Sequence, residues 1–139
     1  MKILFVCRQN VGRSQMAKAF YNSITHSNDA ASAGTKVEEV GQTLRERKQT
    51  TQSKTFFVLD VMNDVGIDMA DYTRAVLKKE DMAQYDRIIS MVDKIDAPQW
   101  LLHSPKYEHW DVEDPRGQDY ETTIKVRDKI KAKVLDLLA

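Results

Sequence analysis

Residues Ile3-Leu4-Phe5-Val6 form an unbroken apolar run that ends at Cys7. A strand with one wet face alternates apolar and polar side chains, so a short unbroken run belongs to a strand covered on both faces. Helix-like periodicity follows within a few residues: from Gln15 to Ile24, Met16, Ala19, Phe20 and Ile24 fall on one side. Ala30 to Gly34 reads as a small-residue strand with Gly34 as a turn. Arg87 to Val92 reads as another buried strand, and Tyr107 to Val112 as a short edge strand leading to Asp114-Pro115. Between and after them lie an amphipathic helix over Phe56–Val65 closed by Gly66, a short helix over Lys78–Gln84, and a final helix over Tyr120–Leu138. That last helix carries Ile124, Arg127, Ile130, Val134 and Leu137 on one stripe. Strands alternating with helices predict an α/β fold, a parallel sheet with helices on both faces. Residues 36–54 are polar, mixed in charge and without an apolar period, and read as a long loop with a helical turn near 42–48.

The chain of 139 residues fits one domain over residues 1–139 with room for a core. It carries 21 basic and 21 acidic residues, so it lacks the basic excess of a general nucleic-acid binder. No apolar segment approaches the length of a membrane span or of a signal-peptide core. The single cysteine allows no internal disulfide, and no Cys/His set has zinc-ligand spacing. These features predict a cytoplasmic protein that needs no metal or other cofactor.

Ligands of parallel α/β sheets bind at the carboxyl ends of the strands. Cys7 ends the first strand and Asp114 follows the last, so both are expected at one sheet edge. Between Cys7 and the first helix lie Arg8, Gln9, Asn10, Val11, Gly12, Arg13 and Ser14. Wrapped around an anion, that loop would offer its backbone N–H groups as a nest. The helix start would add its positive dipole end. The Arg13 guanidinium would grip two oxygens in a fork, which a lysine could not copy. All three effects favour negative charge at one point, on the sulfur as well as on a bound anion. The alternative for Cys7 is a buried core thiol, for Asn10 a turn residue tolerant of a left-handed backbone, and for Ser14 a helix N-cap. The Arg13-Ser14 pair at this spacing favours a nucleophilic Cys7 attacking a phosphate-like group. Asp111, Glu113 and Asp114 form an acidic cluster, which an exposed loop explains better than a metal. Tyr107 and Trp110 are candidates for either pocket walls or edge-strand packing. His26, His103 and His109 show no pairing with Cys7.

The Cys-x5-Arg-Ser pattern with Asn10 at its fourth position resembles the low-molecular-weight protein tyrosine phosphatases and the related arsenate reductases. The resemblance continues at Ser32-Ala33-Gly34-Thr35, Gly66-Ile67-Asp68, Asp86-Arg87-Ile88-Ile89-Ser90-Met91 and Asp114-Pro115. It implies a three-layer sandwich around a four-stranded parallel sheet. It also implies Cys7 as a nucleophile forming a phosphocysteine, Arg13 and the loop amides as holders of the phosphate oxygens, and Asp114 as general acid and then base. The implied ligand is a phosphate or arsenate oxyanion, and phosphotyrosine in a protein is one candidate substrate.

The chain departs from the family pattern in places. Gly12 stands where classical members often place a second cysteine, Arg116-Gly117 replaces tyrosines after Asp-Pro, and Gln9 replaces a common loop glycine. Trp110 and the run Arg13-Ser14-Gln15-Met16-Ala17 look closer to the reductase branch. With one cysteine, a reductase would need an external thiol. Three readings therefore stand: an aryl phosphomonoesterase, an arsenate reductase served by an outside thiol, and a non-catalytic phosphate sensor.

Overall fold

The computed structural model describes residues 1–50 and 53–139. Its sheet contains β1 (Ile3–Cys7), β2 (Ala30–Gly34), β3 (Arg87–Ser90) and β4 (Tyr107–His109), all parallel, in the order β2-β1-β3-β4. β1 is interior to the sheet and buried along its whole length. Full burial of Ile3, Leu4, Phe5 and Val6 is worth roughly 1.5–3 kcal/mol each, which is why the apolar run takes this place. In register, Cys7 faces Gly34 across the β1–β2 ladder, and Val6 faces Ser90 across the β1–β3 ladder. The carboxyl ends of three strands therefore meet beside Cys7.

The pleat sends alternate residues to opposite faces. Ile3, Phe5 and Ile89 enter one core, shared with α1 (Arg13–Thr25), α3 (Val58–Asn63) and α5 (Tyr120–Leu138). Leu4, Val6 and Ile88 enter the other, under Leu77, Ala97 and Leu101 of α4 (Gln99–Leu102), with Met82 of the 3-10 helix Lys79–Gln84 packed against it. The result is the expected α/β sandwich. No described helix is long and apolar enough to cross a membrane.

Several boundaries differ from the sequence expectation. α1 begins at Arg13 rather than Gln15, and Ile24 is exposed while Tyr21 is buried in its stead. Tyr21 packs edge-on against Phe5, with ring centroids 6.2 Å apart, so an aromatic partner on β1 decides which side of the helix end is covered. Phe56 and Phe57 precede α3 rather than forming its first turn. Gly66, at φ 80°, does close that helix, with the Ile67 N–H donating back to the Met62 carbonyl. The last helix buries Thr123, Val126, Ile130 and Val134, while Ile124, Arg127 and Leu137 lie half-buried at its flank.

The polar stretch 36–54 holds the short helix α2 (Leu44–Lys48) where a helical turn was expected, and its residues 51 and 52 lie outside the described part. Five residues cannot hold a helix unaided. α2 is fixed by a capping box between Thr43 and Glu46, by the fully buried Leu44, and by hydrogen bonds from Leu44 N–H to Tyr72 O and from Arg45 N–H to Ala70 O.

Candidate active site

The loop from Cys7 to Arg13 lies at the carboxyl edge of the sheet, in front of α1. Asn10 takes a left-handed backbone at φ 58°, which asparagine tolerates better than most residues. Its side chain organises the loop from behind. Asn10 Oδ1 accepts from the Ala75 backbone N–H at 2.8 Å, so its amide nitrogen points the other way and donates to Ser14 Oγ at 2.7 Å. The Ser14 oxygen is thereby an acceptor, and its own O–H is free to donate to Cys7 Sγ, 2.9 Å away.

The chain of donors extends further back. Ser32 Oγ donates to Gln15 Oε1 at 3.0 Å, and Gln15 Nε2 lies 3.1 Å from Asn10 Oδ1 and 3.0 Å from Thr73 O. Ser32, Gln15, Asn10, Ser14 and Cys7 are all buried. Every link donates toward the sulfur, and such aligned links polarise one another. Ser14 is not the helix cap; Gly12 holds that position with no side-chain cap. The Ser14 hydroxyl is committed to the sulfur instead.

The N–H groups of Gln9 to Arg13 make no hydrogen bond among the described residues. They are the donors that an anion in the loop would satisfy. Gly34 makes room for this arrangement. A Cβ there would stand 2.6 Å from Arg8 O and 3.0 Å from Asn10 N, so the residue expected as a turn is instead a strand end where two backbones nearly touch.

Arg13 is buried, and its Nη1 donates to Met91 O at 2.6 Å and Val112 O at 2.9 Å. These two carbonyls follow β3 and β4, so the guanidinium is locked against the ends of two strands. Its Nη2 lies 3.8 Å from Asp114 Oδ2, and the Asp114 side chain is 48% exposed. One edge of the fork is thus anchored while the other remains available to a ligand.

A cavity of about 230 Å³ opens here. Cys7, Arg8, Gln9, Val11, Gly12, Arg13 and Asp114 line it, whereas Asn10 and Ser14 stand behind the loop. Asp111 and Glu113 are exposed and do not line it. Nor do Tyr107 and Trp110. Trp110 packs on Phe5 with centroids 5.6 Å apart, and Tyr107 packs against the opposite core, so both are packing residues. The three histidines also lie away from the cavity.

Sequence reasoning missed other residues of this cavity: Arg47 on α2, Arg74, Gln42, Phe56, Phe57 and the pair Glu38 and Glu39. Arg74 is 5% exposed and donates from Nε to Gln9 O and from Nη2 to Gln9 Oε1, while its Nη1 donates to Gln42 Oε1. Burial lowers its pKa, partly offset by Glu38, Glu39 and Cys7. The Arg47 guanidinium stands over the Phe56 ring at 4.8 Å. Burial lowers its pKa most, followed by repulsion from Arg74 and Arg116. No local motif marks these arginines; they come from segments that only the fold brings together.

Comparison with known proteins places these features in a family. The family described as low molecular weight phosphotyrosine protein phosphatase matches residues 2–139. The glutaredoxin arsenate reductase of Synechocystis sp. is 29% identical over 99% of this chain and 96% of its own length. Arsenate reductase 1 of Staphylococcus saprophyticus is 30% identical over 93% of this chain and 89% of its own. Among solved structures, an arsenate reductase in the phosphate binding state superposes with a TM-score of 0.77 at 28% identity, covering 99% of this chain and 97% of that one. The low molecular weight protein tyrosine phosphatase of T. tengcongensis shares the fold, with a TM-score of 0.78 at 23% identity over 99% of this chain and 97% of that one. With the match spanning nearly every residue and the parallel sheet order on the page, the chain belongs to the low molecular weight phosphotyrosine protein phosphatase family.

Proposed function

We propose that this protein is a cysteine-dependent phosphomonoesterase acting on aryl phosphates, with protein phosphotyrosine as a candidate substrate. The observation that carries the reading is the convergence of Cys7, Arg13 and Asp114 on one cavity, with the Ser14 hydroxyl 2.9 Å from the sulfur. The loop N–H groups and the free edge of Arg13 hold the phosphoryl oxygens. The Cys7 sulfur attacks phosphorus in line, an S–P bond forms, and the bond from phosphorus to the aryl oxygen breaks. Asp114 gives its proton to that oxygen. In the second step water attacks phosphorus, Asp114 takes the water proton, and the S–P bond breaks to release phosphate and the free sulfur.

A second reading has specific support, since relatives at 29–30% identity over most of this chain are named arsenate reductases. Cys7 is the only cysteine, so the electrons must come from an external thiol. Cys7 would displace a hydroxide from arsenate to form an S–As bond. An outside thiol would then attack the Cys7 sulfur, forming a mixed disulfide as two electrons pass to arsenic and arsenite leaves. A second equivalent of thiol would restore Cys7 and leave the outside thiol as its disulfide.

The deciding experiment is p-nitrophenyl phosphate hydrolysis by the reduced protein between about pH 5 and 8, with Cys7→Ser as control, beside arsenite release in the presence of glutathione and a glutaredoxin. Cys7-dependent hydrolysis is the expected result. Arsenite release without hydrolysis would replace the lead reading by the second. Phosphate binding with neither turnover would leave a sensor.

A further inference from the structure

The cradle of Cys7, the loop amides and Arg13 accounts for one phosphoryl group. Arg8 lines the same cavity from within the loop, and three further arginines reach it from elsewhere in the chain: Arg47 on α2, Arg74 before the bridge at Val76, and Arg116 after Asp114. Among the described residues, no carboxylate lies within ion-pair distance of any of them. Glu38 and Glu39 also line the cavity and favour the Arg74 charge from beyond ion-pair distance, and Glu38 accepts from the Gln9 amide at 3.2 Å. Arg74 is almost wholly buried, and a buried charge with no carboxylate in direct contact is costly. The groups also repel one another: Arg74 and Arg116 both act against the charge of Arg47.

Hydrogen bonding to protein does not exhaust them. Arg47 uses Nη1 on Thr50 Oγ1, and its guanidinium carbon stands 4.8 Å from the Phe56 ring centroid. The Arg116 guanidinium has no protein partner among the described residues; Arg116 lines the cavity two positions after Asp114, whose carboxylate accepts from the Arg116 backbone N–H at 3.0 Å. Phe56 and Phe57 line the same cavity and offer aromatic surface fit for an aryl ring.

We propose that the substrate of the Cys7 site carries, beyond its phosphoryl group, a second anionic group, carboxylate or phosphate, that seats between Arg47 and Arg116 in the field of Arg74. The inference rests on the phosphate-cradle reading of Cys7 and adds to it the chemical class of substrate. The second anion can come from an acidic side chain flanking a phosphotyrosine or from an anionic substituent on the ring of a small aryl phosphate. The shared chemistry is a second negative charge beyond the ring.

Calorimetric titration of the Cys7→Ser protein at low salt tests this without turnover. Phenyl phosphate is compared with 4-carboxyphenyl phosphate, and a phosphotyrosine peptide flanked by glutamates with the same peptide flanked by glutamines. In at least one pair, the probe with the added carboxylate should bind about tenfold tighter than the probe without it, the size of one charge-assisted contact. That ratio should fall toward one when Arg47→Gln or Arg116→Gln is added. A gap in the small pair assigns the second anion to the ligand ring itself; a gap in the peptide pair alone assigns it to flanking acidic residues. Equal affinities within both pairs, or a gap that survives both arginine substitutions, would overturn the inference while leaving the cradle intact. Failure of phenyl phosphate itself to bind would take down the cradle reading and the inference with it.

Discussion

Ser14 presents its hydroxyl to the Cys7 sulfur at 2.9 Å because Asn10, donating to the same oxygen from 2.7 Å, leaves the Ser14 proton nowhere better to go. The direction is set one step further back, where the Ala75 backbone N–H, which can only donate, claims Asn10 Oδ1. Ser14→Ala therefore removes a donor to the sulfur and strands a buried amide N–H of Asn10. The expected outcome is a fall of about 10²-fold in kcat for aryl phosphate hydrolysis. A stability loss of about 1–3 kcal/mol should accompany it. Kinetics and chemical denaturation on the same preparation check both, and an unchanged kcat would show that the hydroxyl contributes nothing to the reaction.

Gly34 is the point where β2 meets the phosphate loop. An added methyl would stand 2.6 Å from Arg8 O and 2.7 Å from Val37 Cγ2, and the former is backbone that cannot swing aside. Gly34→Ala should lower stability by about 1–3 kcal/mol, as overpacking does, and should weaken phosphate binding because the loop must shift. Thermal unfolding and phosphate titration check this. Full retention of phosphate affinity would mean that the strand moves instead of the loop.

Asp114 stands half exposed at the cavity mouth, 3.8 Å from the Arg13 guanidinium. If it protonates the leaving oxygen, Asp114→Asn should slow turnover by about 10²–10⁴-fold for leaving groups of high pKa and much less for those of low pKa. A series of substituted phenyl phosphates reads this as a steeper dependence of kcat/KM on leaving-group pKa in the variant. Parallel lines for the two proteins would remove the acid role.

Asp119 caps α5, accepting from the Thr122 N–H at 2.8 Å. Hydrogen bonds from Thr122, side chain first and then backbone, hold its carboxyl below the ordinary aspartate value. A carboxyl depressed on folding contributes stability that is fully present above its unfolded pKa and is lost as pH falls through its folded one. Wild-type Tm should therefore drop with acid below about pH 4. Asp119→Asn, whose amide oxygen can still cap the helix, should show a shallower drop over that interval. Identical Tm profiles down to about pH 2.5 would remove Asp119 from the acid response.

How legible the site was depends on how local its chemistry is. Cys7, Asn10, Arg13 and Ser14 lie within one strand–loop–helix unit, so spacing alone brings them together. Asp114 was legible only because it follows a strand read as parallel to the first, and parallel strands deliver their carboxyl ends to one edge. Gln15 and Ser32, which complete the donor chain behind the sulfur, have unremarkable sequence neighbours. Their role appears when α1 packs beside β2 and Ser32 Oγ comes to 3.0 Å from Gln15 Oε1. For Trp110 edge-strand packing was at least as well supported by the sequence as a pocket wall, and the Phe5 ring against it decides for packing.

Local interactions determined the α/β alternation, the buried character of β1, the closing turn at Gly66 and the cradle loop itself. Periodicity, glycine stereochemistry and helix-end dipoles act over a few residues and are written along the chain. The tertiary structure alone decided which edge of Arg13 stays free, why Gly34 must lack a side chain, and that Arg47, Arg74 and Arg116 line one cavity. Those outcomes follow from contacts between segments far apart in sequence: two strand ends that claim Arg13 Nη1, a backbone passing 2.6 Å from a would-be Cβ, and a buried Leu44 that fastens α2 over the cavity. Like charges so gathered repel at every separation. Packing is what holds them together, so no local pattern in the sequence announces them.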